Sequence, residues 1–174
     1  GAKAIAESGN PWLFMTRATY AEEVGKILHQ YIPLGYKRIA VLYQDDPFGQ
    51  DGLAAARTLT QESGGELVAA APYEKNTVKV ESAVKTIGAA NPSLVIMVSN
   101  TAASAEFVKQ FRATGNLAQL VSLSTTDAAQ LVDKIGKKAA HGVVITQVVP
   151  APSSVTAALA KEVRDACMRA ALKD

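Results

Sequence analysis

Five short apolar runs, separated by segments with helical spacing, constrain this chain more than any other feature. The runs are RIAVLY (38–43), GELVAAAPY (65–73), SLVIMVS (93–99), AQLVSLS (118–124) and HGVVITQVV (141–149). Their Val, Ile and Leu residues are nearly continuous. A strand wetted on one face alternates apolar with polar, whereas a parallel strand covered on both faces is apolar throughout. Between the runs, apolar positions recur every three to four residues. Ala21, Val24, Leu28 and Tyr31 form one such stripe, and Leu53, Ala56 and Leu59 form a second. A third comprises Val80, Ala83, Val84 and Ile87, while in SAEFVKQFRATG Val108 and Phe111 continue a stripe that stops at Gly115, a C-cap. Gly64-Gly65 and Asn91-Pro92 mark helix exits ahead of strands.

Strand alternating with helix predicts right-handed crossovers, and so an α/β fold: a doubly wound, mainly parallel sheet with helices on both faces. The expected strand order is flavodoxin-like. A chain of 174 residues is long enough to bury one core of this kind. Its two ends read differently from the middle. SGNPWLFMTRAT (8–19) is an extended lead-in, and VVPAPSSV (148–155) is a Pro-rich exit before a last helix whose apolar face includes Leu159, Val163 and Ala166. The expected organisation is a leading segment over 1–10, a ligand-binding lobe over 11–150, and an exit connector with a C-terminal helix over 151–174.

Charge narrows the function. The net charge is +2, carried by dispersed Lys and Arg rather than a basic block, which argues against a nucleic-acid or polybasic membrane surface. The longest apolar runs fall far short of the roughly 20 residues needed to cross a bilayer. No signal peptide is visible and the first residue is not Met, which leaves the compartment open on this evidence. The lone Cys167 has no cysteine to pair with and no histidine near it in sequence, so it reads as an idle thiol.

In a doubly wound sheet, ligands bind outside the carboxyl ends of the strands. Three such ends are informative. The first opens into Gln44, Asp45, Asp46, Pro47 and Phe48; the third into Ser99, Asn100 and Thr101; the fourth into Ser124, Thr125, Thr126 and Asp127. Each precedes a helix, so Asp46, Asn100 and Thr126 or Asp127 can serve as N-caps. Hydroxyls, amides and helix N-termini converging on one cleft also suit a small carboxylate-bearing ligand. The acids of DDPFGQDG (45–52) lack the alternating spacing and distant glutamate of a calcium loop, and no phosphate-binding glycine motif follows any strand. His29 sits on a helix and His141 at a strand entrance away from the cleft, so no base stands near a nucleophile. The chain therefore reads as a binding protein without enzymatic activity, metal or cofactor.

Several ordered segments sharpen this. LFMTRATYAEEVGKIL, GYKRIAVLYQDDPFGQDGLAAAR, VKQFRATG and HGVVITQVVPAP together resemble the second lobe of the type I periplasmic binding proteins. More narrowly, they resemble the branched-chain amino acid (leucine/isoleucine/valine) solute-binding family of ABC transporters, from about Pro11 to Pro152. The resemblance implies two α/β lobes joined by crossing strands, closing on a solute by hinge motion. This chain would hold one lobe, with WLFMTR and TQVVPAP as crossing strands and its last helix packing on the absent lobe.

It also implies that Phe48 packs on the solute and that Asn100 faces it. A carboxylate that pairs with the solute's ammonium in leucine-type receptors is replaced here by Ser124, which puts α-amino acid recognition in doubt and admits an aromatic or aliphatic carboxylate. The candidate solute-contacting set is Tyr20, Phe48, Ser99, Asn100, Ser124 and Thr125. The implied partners are a small solute and an ABC permease in the inner membrane, with the protein a periplasmic monomer that binds no nucleic acid. The alternative is an effector-sensing lobe of a regulator or receptor with the same fold. A flavodoxin-like enzyme or FMN carrier would need a phosphate loop near the first strand, and none is visible.

Overall fold

The apolar run after Tyr36 becomes β1 (Arg38–Gln44), and every other strand is arranged about it. A computed structural model describes residues 9–151 and 154–171. After β1 come α2 (Pro47–Glu62), β2 (Glu66–Tyr73), α3 (Glu81–Ala89), β3 (Leu94–Val98), α4 (Thr101–Ala113) and β4 (Gln119–Ser122). The chain continues through α5 (Ala128–Ala140), β5 (Val144–Ile145) and α6 (Ala158–Ala171), while α1 (Tyr20–Tyr31) precedes β1. The sheet is five-stranded, in the order β2-β1-β3-β4-β5, and the four strand pairings are all parallel. That is the flavodoxin-like order, reversing between β1 and β3.

Continuous apolarity in the strands has a direct packing cause. Ala40 and Leu42 of β1, Val95 and Met97 of β3 and Leu120 of β4 face a core completed by α3 and α4, including Val84, Ile87, Phe107 and Phe111. The residues between them, Ile39, Val41, Leu94, Ile96, Val98 and Val121, face the other core with Val24, Ile27 and Leu28 of α1 and Leu53 and Ala56 of α2. Side chains alternate across a strand, so a strand filling two cores needs apolar residues at every position. Each large aliphatic side chain fully buried this way contributes roughly 1.5–3 kcal/mol.

Local chemistry sets the helix starts. Thr19 caps α1 in a reciprocal box: its hydroxyl accepts the Glu22 N–H, and the Glu22 carboxylate accepts the Thr19 N–H at 2.7 Å. The Thr19 N–H and hydroxyl, both donating to it, hold the Glu22 carboxyl below its ordinary range. The α4 stripe ends where the sequence places its stop, with Gly115 in the left-handed region at φ +79°.

Two expectations are corrected. The fifth apolar run forms only the two-residue β5 rather than a strand over 141–149. Its single neighbour β4 is four residues long, Gly142 turns the chain at φ +77°, and the ladder closes at the Thr146 N–H bonded to the Ser122 carbonyl (3.0 Å). Residues 11–17 form a turn and irregular backbone rather than a crossing strand, with Trp12 86% exposed. Pro152 of the proposed exit crossing lies outside the described residues. The C-terminal helix α6 is present, but within it only Ala160 is buried, and the expected apolar residues Leu159 and Val163 face outward. Among the described residues no helix is long and apolar enough to cross a membrane.

Candidate functional site

Strand order reverses between β1 and β3, so the loops leaving their carboxyl ends diverge and open a crevice. The loop after β1 is drawn tightly over that end. A Cβ on Gly49 would lie 1.8 Å from the Gln44 carbonyl oxygen, and one on Gly52 would lie 2.6 Å from a Val98 methyl. Only glycine lets α2 begin this close to the strands. Asp46 caps α2 by accepting the Gly49 N–H at 3.1 Å, and it also receives the Gln44 amide at 2.7 Å and the Lys75 ammonium at 3.1 Å. Desolvation pushes the Asp46 carboxyl upward, but these three donors outweigh it and hold it below its ordinary range. The acids of this loop are thus a cap, Asp46, and two at least partly exposed groups, Asp45 and Asp51. Between them Phe48 is half-buried and set edge-on to Tyr20, with ring centroids 4.7 Å apart.

A polar knot closes the gap between β1, β2 and β3. The Tyr73 hydroxyl donates to the Gln44 side-chain carbonyl (2.9 Å) and accepts the Asn100 N–H (3.2 Å), while the Asn100 amide donates to the same Gln44 oxygen at 3.3 Å. Burial raises the Tyr73 phenol to about 12. Asn100 also caps α4 by accepting the Ala103 N–H at 3.0 Å.

At the end of β4, hydroxyls replace amides. Ser99, Ser104, Ser122 and Thr126 form a buried cluster, with Ser99 to Ser104 at 2.7 Å and Ser122 to Thr126 at 2.6 Å. Thr125 donates to the Ser99 carbonyl at 2.8 Å, and Asp127 caps α5 by accepting the Gln130 N–H at 2.8 Å. Ser124 is tied to a buried carboxylate. Glu23, 4% exposed, accepts the Ser124 N–H (2.8 Å), the Ser124 hydroxyl (2.9 Å) and the Thr146 hydroxyl. Arg17 donates a guanidinium N–H to the Ser124 hydroxyl at 3.0 Å. A shallow concavity lined by Ser124, Thr125, Asp127 and Gln147 lies beside this cluster.

Tyr20 and Phe48 therefore stand together as an aromatic pair, and Ser124 and Thr125 are half-buried at the end of β4. Asn100 is half-buried but engaged as a cap and in the Gln44 knot. Ser99 is fully buried with its hydroxyl on Ser104, so it underlies the surface rather than lining it. Glu23, Arg17, Thr146, Gln44 and Tyr73 are not among the contacts the sequence nominates. A signal for Glu23 exists: it lies four residues before Ile27 on the face that carries Val24 and Leu28, so a charge points where apolar groups belong. Among the described residues, no three His, Cys, Asp or Glu side chains gather as a metal site would require.

Residues 1–172 match the periplasmic binding protein family. The chain is similar to a substrate-binding periplasmic protein from Ralstonia solanacearum, at 29% identity and TM-score 0.87, covering 100% of this chain and 49% of that one. It is also similar to an extracellular ligand-binding receptor from Verminephrobacter eiseniae, at 25% identity and TM-score 0.86, covering 99% and 49%. A branched chain amino acid ABC transporter structure from Thermus thermophilus with bound valine shares the fold at 19% identity and TM-score 0.70, covering 78% and 36%. No curated protein matches the chain. The chain thus spans about half the length of the first two structures it matches. With a parallel sheet in flavodoxin-like order and a family match over nearly its whole length, the chain belongs to the periplasmic binding protein family.

Proposed function

We propose that this chain is one lobe of an extracytoplasmic solute receptor, and that its strand-end face takes a small amino-acid-like or carboxylate solute in a cleft shared with a second lobe. Tyr20, Phe48, Asn100, Ser124 and Thr125 are the proposed contacts, and an ABC permease in the inner membrane is the proposed recipient of the solute, a reading that the family match supports. The observation that carries the reading is geometric. An edge-on aromatic pair by the β1–β3 reversal and half-buried hydroxyls after β4 stand at the same, carboxyl end of the sheet. Apolar and aromatic walls with few placed polar groups are what a small-molecule cleft requires. The substrate-binding role of the Ralstonia relative supports this assignment.

The test is isothermal titration of the intact receptor containing this chain against amino acids and aromatic or aliphatic acids. Phe48→Ala is expected to weaken the tightest of them about tenfold, or ~1.4 kcal/mol, and by more than Asp45→Asn or Asp51→Asn does. If the intact receptor binds no small solute, the reading fails.

A further inference from the structure

We infer that Arg17 is the residue of this lobe that receives the solute's negative end, and that the carboxylates whose charge acts on the Tyr20 phenol are already engaged. This rests on the strand-end face being the solute site. The single hydroxyl proton of Ser124 is given to Glu23 at 2.9 Å, and its oxygen accepts from Arg17 at 3.0 Å. Ser124 can therefore accept but not donate while this chain of bonds holds. A solute carboxylate finds no hydrogen there.

The guanidinium is different. Arg17 is exposed, and its fork of N–H donors makes one hydrogen bond among the described residues, the one to Ser124. The Arg17 charge opposes the rise that burial causes in the Tyr20 phenol, and Arg17 precedes that ring by three residues in the chain. A planar cation next to an aromatic wall matches a carboxylate carried on an apolar body.

The anionic groups around Tyr20 are Glu23, Asp51 and Asp46. Each is already engaged. Glu23 accepts from Ser124 and Thr146 and is buried; Asp46 holds Gly49, Gln44 and Lys75; Asp51 has an interaction of its own. At these three groups an ammonium would have to displace an existing arrangement, whereas a carboxylate need only complete the Arg17 fork. Glu23 acts here as a positioning residue, since it orients Ser124 and through it the guanidinium.

The experiment compares two matched series by titration of the intact receptor: leucine, 4-methylpentanoate and 4-methylpentanamide; phenylalanine, 3-phenylpropanoate and 3-phenylpropanamide. In whichever series binds, the desamino acid is expected to bind at least tenfold tighter than the amide. Arg17→Gln should weaken the acid at least tenfold and the amide far less, so that the preference is lost, and Arg17→Lys should restore part of it. An acid or amino acid whose affinity is unchanged by Arg17→Gln overturns the inference, because its negative end then sits elsewhere. So does an Arg17→Gln variant that keeps the acid-over-amide preference, and in both cases the receptor reading stands. Absence of binding by both series overturns the receptor reading and this inference with it.

Discussion

Two polar clusters occupy the same end of the same sheet, and they are made of different chemistry. At the reversal between β1 and β3 the knot is Gln44, Tyr73 and Asn100, anchored to the Asp46 cap. Its members come from strands and helix starts that are already neighbours, so the hydrogen bonds fix the shape of a surface the backbone has built. At the end of β4 the cluster is Arg17, Glu23, Ser124 and Thr146. Here Arg17 comes from the lead-in, Glu23 from α1, and Thr146 from the segment leaving the sheet, 123 residues after the carboxylate it serves. A buried carboxylate is costly unless it is fully hydrogen-bonded, and three donors from two distant stretches meet that need. The neutral knot makes a floor, while the charged cluster ties the lead-in before α1 and the segment after β5 to the end of β4.

Substitutions that separate floor from junction test this contrast. The largest effect is expected at Gly49, where alanine places a methyl against the Gln44 backbone with no flexible neighbour to yield. A loss of about 3 kcal/mol by urea unfolding, together with weakened Asp46 capping, is predicted. Tolerance of Gly49→Ala would mean that the loop is not held against β1. Next comes Glu23→Ala, which leaves the Ser124 N–H and two hydroxyls without their acceptor and should cost about 2–3 kcal/mol. Hydrogen exchange should then speed at residues 144–147 and 15–19 more than at the knot. Equal change at both ends would erase the distinction drawn between the clusters.

Tyr73→Phe removes one hydroxyl from the knot and should cost ~1–2 kcal/mol, with exchange rising at Asn100 and Gln44 and unchanged at Thr146. The smallest effect is expected for Asp46→Asn, below about 1 kcal/mol, because an asparagine oxygen still caps the helix and the Lys75 partner is more than half exposed. It carries a pH signature. The Asp46 carboxyl is held below its ordinary value in the folded state, so its contribution is present above about pH 4 and is lost as pH falls through the folded value. The Asp46→Asn variant should flatten that acid limb in thermal melts followed from about pH 6 down to about pH 2. An unchanged limb would reassign the acid sensitivity to Glu22 and Glu81, whose carboxyls are also lowered.

The strand order was an expectation from the fold class rather than from the residues. The first four strands were legible because a sheet covered on both faces demands apolar residues at every position, and the first four runs supply them. The longer fifth strand fails for the same reason. HGVVITQVV has the composition of a strand, but composition says nothing about whether a neighbour is long enough to pair with it, and β4 is not. The caps at Asp46, Asn100 and Asp127 were legible from residue type and position, since each accepts the N–H three residues on. The Glu23 cluster was not, because its members are separated by about a hundred residues and meet only when the chain's two connecting segments return to β4. Ser99 shows the opposite limit: a polar residue at a strand end can point inward, and sequence position alone does not tell which way.

The account rests on the strand-end face being where the solute sits, and a crystal structure of the intact receptor with its tightest-binding acid tests this most directly. Solute density in van der Waals contact with Tyr20 and Phe48 and beside Ser124 is the predicted result. Density at the opposite end of the sheet, in the concavity formed by Val84, Gly88, Thr114 and Asn116, would contradict it.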